Sequence, residues 1–95
     1  MGAARFDCGP LFAQGHLALT DELKRVVAAY VKEILAAPMG PSPRIRELPP
    51  VHQPGTMEAT CGQFLIRYTV RYDDADGGAM VKFIKLIDRT TLYRK

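Results

Sequence analysis

Gly62-Gln-Phe-Leu-Ile-Arg-Tyr-Thr-Val-Arg-Tyr72 is the stretch that decides how this chain folds. Phe64, Ile66, Tyr68, Val70 and Tyr72 alternate with Leu65, Arg67, Thr69 and Arg71, the period of a β-strand with one buried face. The first set is expected to pack against a core. The second set displays two arginines about 7 Å apart along the strand. Upstream, Met57–Cys61 reads as a further strand, with Gly62-Gln63 as a tight turn. Downstream, Asp73–Gly78 carries the Asp and Gly of a hairpin connection. Residues 79–88 then pair back, and regular alternation puts Lys82 and Lys85 on opposite faces.

Working outward, residues 21–36 form the clearest helix. Leu23, Val26, Val27, Tyr30, Val31, Ile34 and Leu35 recur at i, i+3, i+4 and i+7, and Lys24, Arg25, Lys32 and Glu33 lie opposite. Thr20 is the expected N-cap. Asp21 and Glu22 stand in the first turn, where the helix dipole favours negative charge. Pro38 and Gly40 end the helix. Residues 38–56 hold six prolines and read as a loop, with Arg44–Leu48 as a short edge strand that turns Arg44 and Arg46 outward. At the start of the chain, Arg5–Cys8 suits a short strand and Leu11–Leu19 a short helix weakened by Gly15. The expected fold is therefore α+β: a helix or helices packed on a mostly antiparallel sheet of three to four strands, in two layers over residues 1–95 as a single domain.

Composition narrows the function classes. The chain has 95 residues, is 47% hydrophobic and 24% charged, and carries a formal net charge of +3. That balance is globular, and the modest basic excess is compatible with nucleic acid or an acidic protein as partner. The charge is unevenly spread. Residues 57–95 hold seven Lys or Arg against five Asp or Glu, and three of the acids, Asp73, Asp74 and Asp76, share the hairpin turn. The strands and tail are left distinctly basic. No stretch approaches 18 apolar residues and no signal-peptide pattern opens the chain, so no membrane association is expected and the cytoplasm is the expected location. There Cys8 and Cys61 are expected to be free thiols.

No metal or other cofactor is expected. Cys8, His16, His52 and Cys61 lack the close ligand pairs that zinc sites favour. The Asp-rich turn lacks the glutamate that closes a calcium loop. Phosphate-loop, nucleophile-elbow and zinc-protease motifs are all missing.

The order of elements and the local residues resemble the RelE/ParE superfamily of bacterial toxins from type II toxin–antitoxin systems. Those proteins carry helices, then a loop rich in Pro, Arg and Leu, then a Gly-Asp-Tyr-Arg-x-x-Tyr strand. An acidic turn, another strand and a final His-Arg-x-x-Val-Tyr follow. Here the loop counterpart is Pro43–Leu48, the middle segment is Gly62-Gln-Phe-Leu-Ile-Arg-Tyr68, and the last is Asp88-Arg-Thr-Thr-Leu-Tyr93. The resemblance spans roughly residues 20–95. It departs from the family at two points: Leu65 stands where an arginine is expected, and Asp88 where a histidine is expected.

The resemblance implies a toxin neutralised by a cognate antitoxin and acting as a metal-independent mRNA interferase, an endoribonuclease working on mRNA at the ribosome. In that chemistry the ribose 2′-hydroxyl attacks the adjacent phosphate. One group removes that proton, another protonates the leaving 5′-oxygen, and cations stabilise the phosphorane. Arginine suits the last role because its planar fork binds two phosphate oxygens and keeps its charge. The candidate catalytic residues are Arg67, Arg71, Arg89 and Tyr93. The candidate RNA-binding residues are Arg44, Arg46, Lys82, Lys85 and Lys95.

Each has a plainer reading. Arg67 and Arg71 equally suit a solvated sheet face, Tyr68 and Tyr72 suit the core, and the tail cations suit contact with water or antitoxin. The two departures also leave open a ParE-like toxin that inhibits DNA gyrase by protein binding, or a non-catalytic member of the family. Leu11, Phe12, Leu17 and Leu19 either close the domain's own core or form a surface that a partner completes.

Overall fold

A computed structural model describes residues 5–38, 40, 43–49, 55–72 and 78–92, with side chains described through Thr90. The turn at 73–77, His52, Tyr93 and Lys95 lie outside the described residues. In chain order the elements are β1 (Arg5–Cys8), α1 (Pro10–Leu17), α2 (Asp21–Ala36), β2 (Ile45–Glu47), β3 (Thr56–Cys61), β4 (Phe64–Tyr72), β5 (Ala79–Asp88) and α3 (Arg89–Leu92).

The sheet has five strands in the order β1-β5-β4-β3-β2. β2 to β5 form an antiparallel meander, as the alternation predicts, while β1 pairs in parallel with β5. The expected count of three to four strands is thus too low. Alternation reveals a strand but not its partner, and β1 finds its partner across most of the chain, with Arg5 beside Met80 and Cys8 beside Phe83.

The predicted helix over 21–36 forms with those bounds. Thr20 Oγ1 accepts the Leu23 N–H at 3.2 Å, which satisfies one of the free donors of the first turn. α1 starts at Pro10, whose missing N–H costs nothing at that position. Gly15 lets α1 lie close on β5: a Cβ there would stand 3.2 Å from the Leu86 carbonyl oxygen.

The helix-side face of the sheet carries the core. Met57, Ala59 and Cys61 of β3, Phe64, Ile66, Tyr68 and Val70 of β4, and Val81 and Phe83 of β5 are buried with Phe12 of α1 and Val27 and Ile34 of α2. Phe83 is central, with ring centroids 5.2 Å from Phe12 and 5.9 Å from Tyr68. Tyr68 keeps its hydroxyl satisfied by donating to the Pro38 carbonyl at 2.6 Å. Tyr72 departs from expectation and is 61% exposed. It ends β4 opposite Ala79.

Candidate nucleic-acid interface on the open sheet face

α1 and α2 cover one face of the sheet, so alternation sends the remaining side chains to the other. Strand register arranges these in rows. The hairpin at Gly62-Gln63, with Gly62 at φ +60°, sets Cys61 opposite Phe64 and therefore Glu58 opposite Arg67. The first row across the sheet is Arg46 (β2), Glu58 (β3), Arg67 (β4) and Lys85 (β5). The next is Thr56, Thr69, Lys82 and Asp7 of β1. The third is Arg71, Met80 and Arg5. Six cations, Arg5, Arg46, Arg67, Arg71, Lys82 and Lys85, thus share this face with two carboxylates, Asp7 and Glu58.

Lys82 and Lys85 stand on the same face, contrary to the expectation from regular alternation. Arg67 is opposite Lys85 while Tyr68 is opposite Phe83, so β5 spends one extra residue, Ile84, between them. This β-bulge shifts the phase of the strand by one and turns Lys85 to the side of Lys82. Both lysines are exposed.

Glu58 is the buried centre of the first row, with its side chain only 7% exposed. Its Oε1 accepts from Arg46 Nη2 at 3.0 Å and its Oε2 from Arg67 Nη2 at 3.1 Å. Burial pushes the carboxyl pKa up. The hydrogen bonds and charges of the two arginines push it down and prevail, holding it below the usual carboxylate value. Glu58 is therefore an ionised acceptor that fixes two guanidinium groups on the sheet. Arg67 Nε is buried and has no hydrogen-bond partner. Arg71, Lys82 and Lys85 form no ion pair among the described residues. Around Arg71 and Lys82 the face sinks into an open cavity of about 690 Å³, which Asp7, Thr69, Met80 and Ile84 also line.

The other candidates sit elsewhere. Arg44 precedes β2 and does not face outward from it. Its Nε lies 3.2 Å from Glu33 Oε1 and its guanidinium 5.2 Å from the centre of the Tyr30 ring, both on α2. Arg89 opens α3 at the far end of β4 from Arg71, with Nη1 donating to the Gly62 carbonyl at 3.3 Å. Asp88 caps that short helix: its Oδ1 accepts from the Thr90 N–H at 3.0 Å and the Thr90 hydroxyl at 2.7 Å, and its Oδ2 from Gln63 Nε2 at 3.2 Å. Leu65 is half-buried between Thr60 and Ile87. The face therefore gathers Arg46, Arg67, Arg71, Lys82 and Lys85, and leaves Arg44 and Arg89 apart.

Sequence reasoning passed over Glu58 and Asp7. The signal for Glu58 was present: counting back from the turn at Gly62-Gln63 pairs it with Arg67. For Asp7 there was none, because its place depends on a long-range parallel pairing.

On the helix side, Phe6, Phe12, His16, Leu17, Val27 and Val31 line an apolar groove of about 390 Å³. Phe6 is 54% and Leu17 72% exposed. Of the four apolar residues of α1 and its exit, Phe12 is core, Leu19 packs against the core, and Leu11 and Leu17 remain outside.

The chain has the fold of the RelE, YoeB and ParE toxins of toxin–antitoxin systems. A chain of the archaeal RelE–RelB complex from Pyrococcus horikoshii superposes with a TM-score of 0.66 at 16% identity, over 93% of this chain and 97% of that one. The YoeB/ParE toxin from Agrobacterium tumefaciens gives 0.70 at 10% identity, over 86% and 94%. The RelB–RelE antitoxin–toxin complex from Methanococcus jannaschii gives 0.62 at 13%, over 90% and 93%. No protein-family model and no curated protein sequence matches the chain.

Proposed function

We propose that this chain is the toxin of a type II toxin–antitoxin system and acts as a metal-independent mRNA interferase on the open sheet face. The observation that carries this reading is the bulge at Ile84, which unites Lys82 and Lys85 with Arg67 and Arg71 on one surface. Such a surface suits a phosphate backbone: arginines grip paired oxygens and lysines add mobile charge. In the reaction, these cations stabilise the phosphorane formed when a ribose 2′-hydroxyl attacks its own 3′-phosphate. Glu58 holds Arg67 in place. Arg89, which opens α3, and Tyr93 are the proposed further catalytic residues, with Tyr93 transferring a proton or stacking on a nucleotide. Lys95 adds charge to the tail. Arg44 is the weakest of the proposed RNA contacts, since Glu33 and Tyr30 already engage it.

The proposed partner is a cognate antitoxin. Two of the fold relatives are toxin–antitoxin complexes. The helix-side groove, with Phe6 and Leu17 exposed beside it, offers apolar surface for such a protein to cover.

The test is to add purified protein to a translation reaction and map mRNA ends by primer extension. New ends in translated message are expected, with none in the Arg67→Ala, Arg71→Ala double variant. Intact message alongside arrested growth would defeat the reading.

One observation favours a ParE-like alternative, in which the chain binds DNA gyrase and cuts nothing. Asp88, at the position of the expected histidine, engages both carboxylate oxygens as hydrogen-bond acceptors for Thr90 and Gln63, in the manner of a helix cap. A gyrase supercoiling assay separates the two: inhibition with intact RNA selects the alternative.

A further inference from the structure

The cavity on the open face has more than cations in it. Arg71 and Lys82 stand beside an apolar surface of Pro10, Leu11, Met80 and Ile84, and Asp7 completes the lining from β1. At about 690 Å³ it is within the range of small-molecule sites and large enough for a nucleotide unit. A site for phosphate alone would need the cations only. An acidic side chain on such a site opposes phosphate, so Asp7 calls for a ligand with donors to give it.

Asp7 is placed to receive them. It lies directly across from Lys82 in the parallel register, in the row that continues to Thr69. Its Oδ1 accepts the Cys8 N–H at 2.9 Å, which holds the side chain, and Oδ2 has no hydrogen-bond partner among the described residues. It forms no ion pair with Lys82. An ionised carboxylate is acceptor-only, with two oxygens and spare lone pairs. Among the bases of RNA, guanine alone presents two adjacent donors on its pairing edge, N1–H and the N2 amino group. Adenine and cytosine each present one amino group there, and uracil a single imino N–H.

We infer that this cavity is a base-recognition subsite for guanine in single-stranded RNA, with Asp7 as its specificity-determining residue. The inference rests on the RNA-binding reading of this face and goes further by naming the nucleotide. The base lies against Met80 and Ile84 with its donor edge on Asp7. Arg71 and Lys82 take the flanking phosphates. Thr69, in the same row as Lys82 and Asp7, supplies a hydroxyl within the cavity lining. The arrangement follows the common division of labour in which phosphate contacts position and base contacts specify. RNA bases are read this way when they are unstacked and splayed from a single strand.

The experiment is fluorescence anisotropy with five labelled pentaribonucleotides, UUNUU, where N is guanine, hypoxanthine, adenine, cytosine or uracil. Guanine is expected to bind about tenfold more tightly than adenine, the discrimination of one bidentate base contact. Hypoxanthine, which keeps N1–H but lacks the amino group, falls between them. Asp7→Asn keeps an acceptor for the Cys8 N–H, so the fold is retained, and brings guanine and adenine to within about twofold of each other. The ratio is the readout because removing a negative charge raises affinity for every RNA. Guanosine monophosphate is expected to compete poorly, having one phosphate. If it displaces RNA as well as the guanine pentamer does, the site belongs to a free nucleotide and the assignment is overturned. Equal binding of all five RNAs, or a guanine preference that survives Asp7→Asn, overturns the subsite while leaving RNA binding intact. Failure to bind any of them overturns the RNA reading itself.

Discussion

Lys82 and Lys85 are three residues apart on β5 and face the same side of the sheet, opposite Thr69 and Arg67. In a regular strand they would face apart. The bulge at Ile84 makes the difference, and a cationic surface follows from it. Replacing both lysines by alanine removes two exposed charges. Single-stranded RNA should bind more weakly, with the slope of log K against log salt reduced by about 1.4, or 0.7 for each lost phosphate contact. Titrations at several salt concentrations check this. An unchanged slope would place RNA elsewhere.

Glu58 should make stability depend on acid. Its folded-state pKa lies below the ordinary value near 4.5. The stability it contributes is therefore complete above that value and lost as pH falls through the lower, folded-state value. Urea unfolding at pH 7 and pH 3 should show that loss in the native protein. Glu58→Gln should be less stable by about 1–3 kcal/mol at pH 7, because Arg67 keeps only a neutral partner. It should lose less on acidification. Most of the effect should come through Arg67, since Arg46 is 69% exposed and exposed pairs contribute little.

Gly15 tests the seat of α1. Alanine there would raise helix propensity by about 1 kcal/mol. Its Cβ would also press to 3.2 Å from the Leu86 carbonyl oxygen, a backbone atom held within the sheet. Gly15→Ala is expected to lower stability by about 1–2 kcal/mol net, as α1 is forced off β5. A higher melting temperature would contradict this close approach.

The two thiols should differ sharply. Cys8 is exposed, whereas burial pushes the Cys61 thiol up to about 11. At pH 8 a disulfide reagent should modify one thiol of the native protein quickly and the second only on unfolding. Cys8 should itself react more slowly than a free thiol, since partial burial and the Asp7 charge raise its pKa. Mass mapping of the modified residue decides between them.

What could be read in the sequence was what local periodicity encodes. The α2 stripe from Leu23 to Leu35 and the alternation along β4 each carry their own burial pattern, and Thr20 signals its cap. The two-residue turn at Gly62 even fixes the Glu58–Arg67 pairing. The bulge at Ile84 carries no local mark, since it exists only in the pairing of β5 with β4. Tyr72 fits the buried phase of β4 but is the last residue of the strand and stays exposed, and alternation alone does not mark where cover ends. Arg44 turns to Glu33 and Tyr30 because β2 begins one residue later, at Ile45. Asp7 reaches the cavity only because β1 crosses to β5.

That crossing also orders events in time. β1 is the first strand of the sheet to be made, and its partner, the Met80–Phe83 stretch of β5, is made some 75 residues later. While β5 is still inside the exit tunnel of a ribosome, the sheet has no place for β1, and the cavity lacks its Asp7 wall. The open face is thus complete only after β5 has left the tunnel and paired with β1 and β4. Contacts of such long separation are also slow to close in a refolding chain. A nascent copy carries Arg5 and Asp7 long before it carries Lys82 and Lys85, and the surface they share forms only when β5 takes its place between β1 and β4.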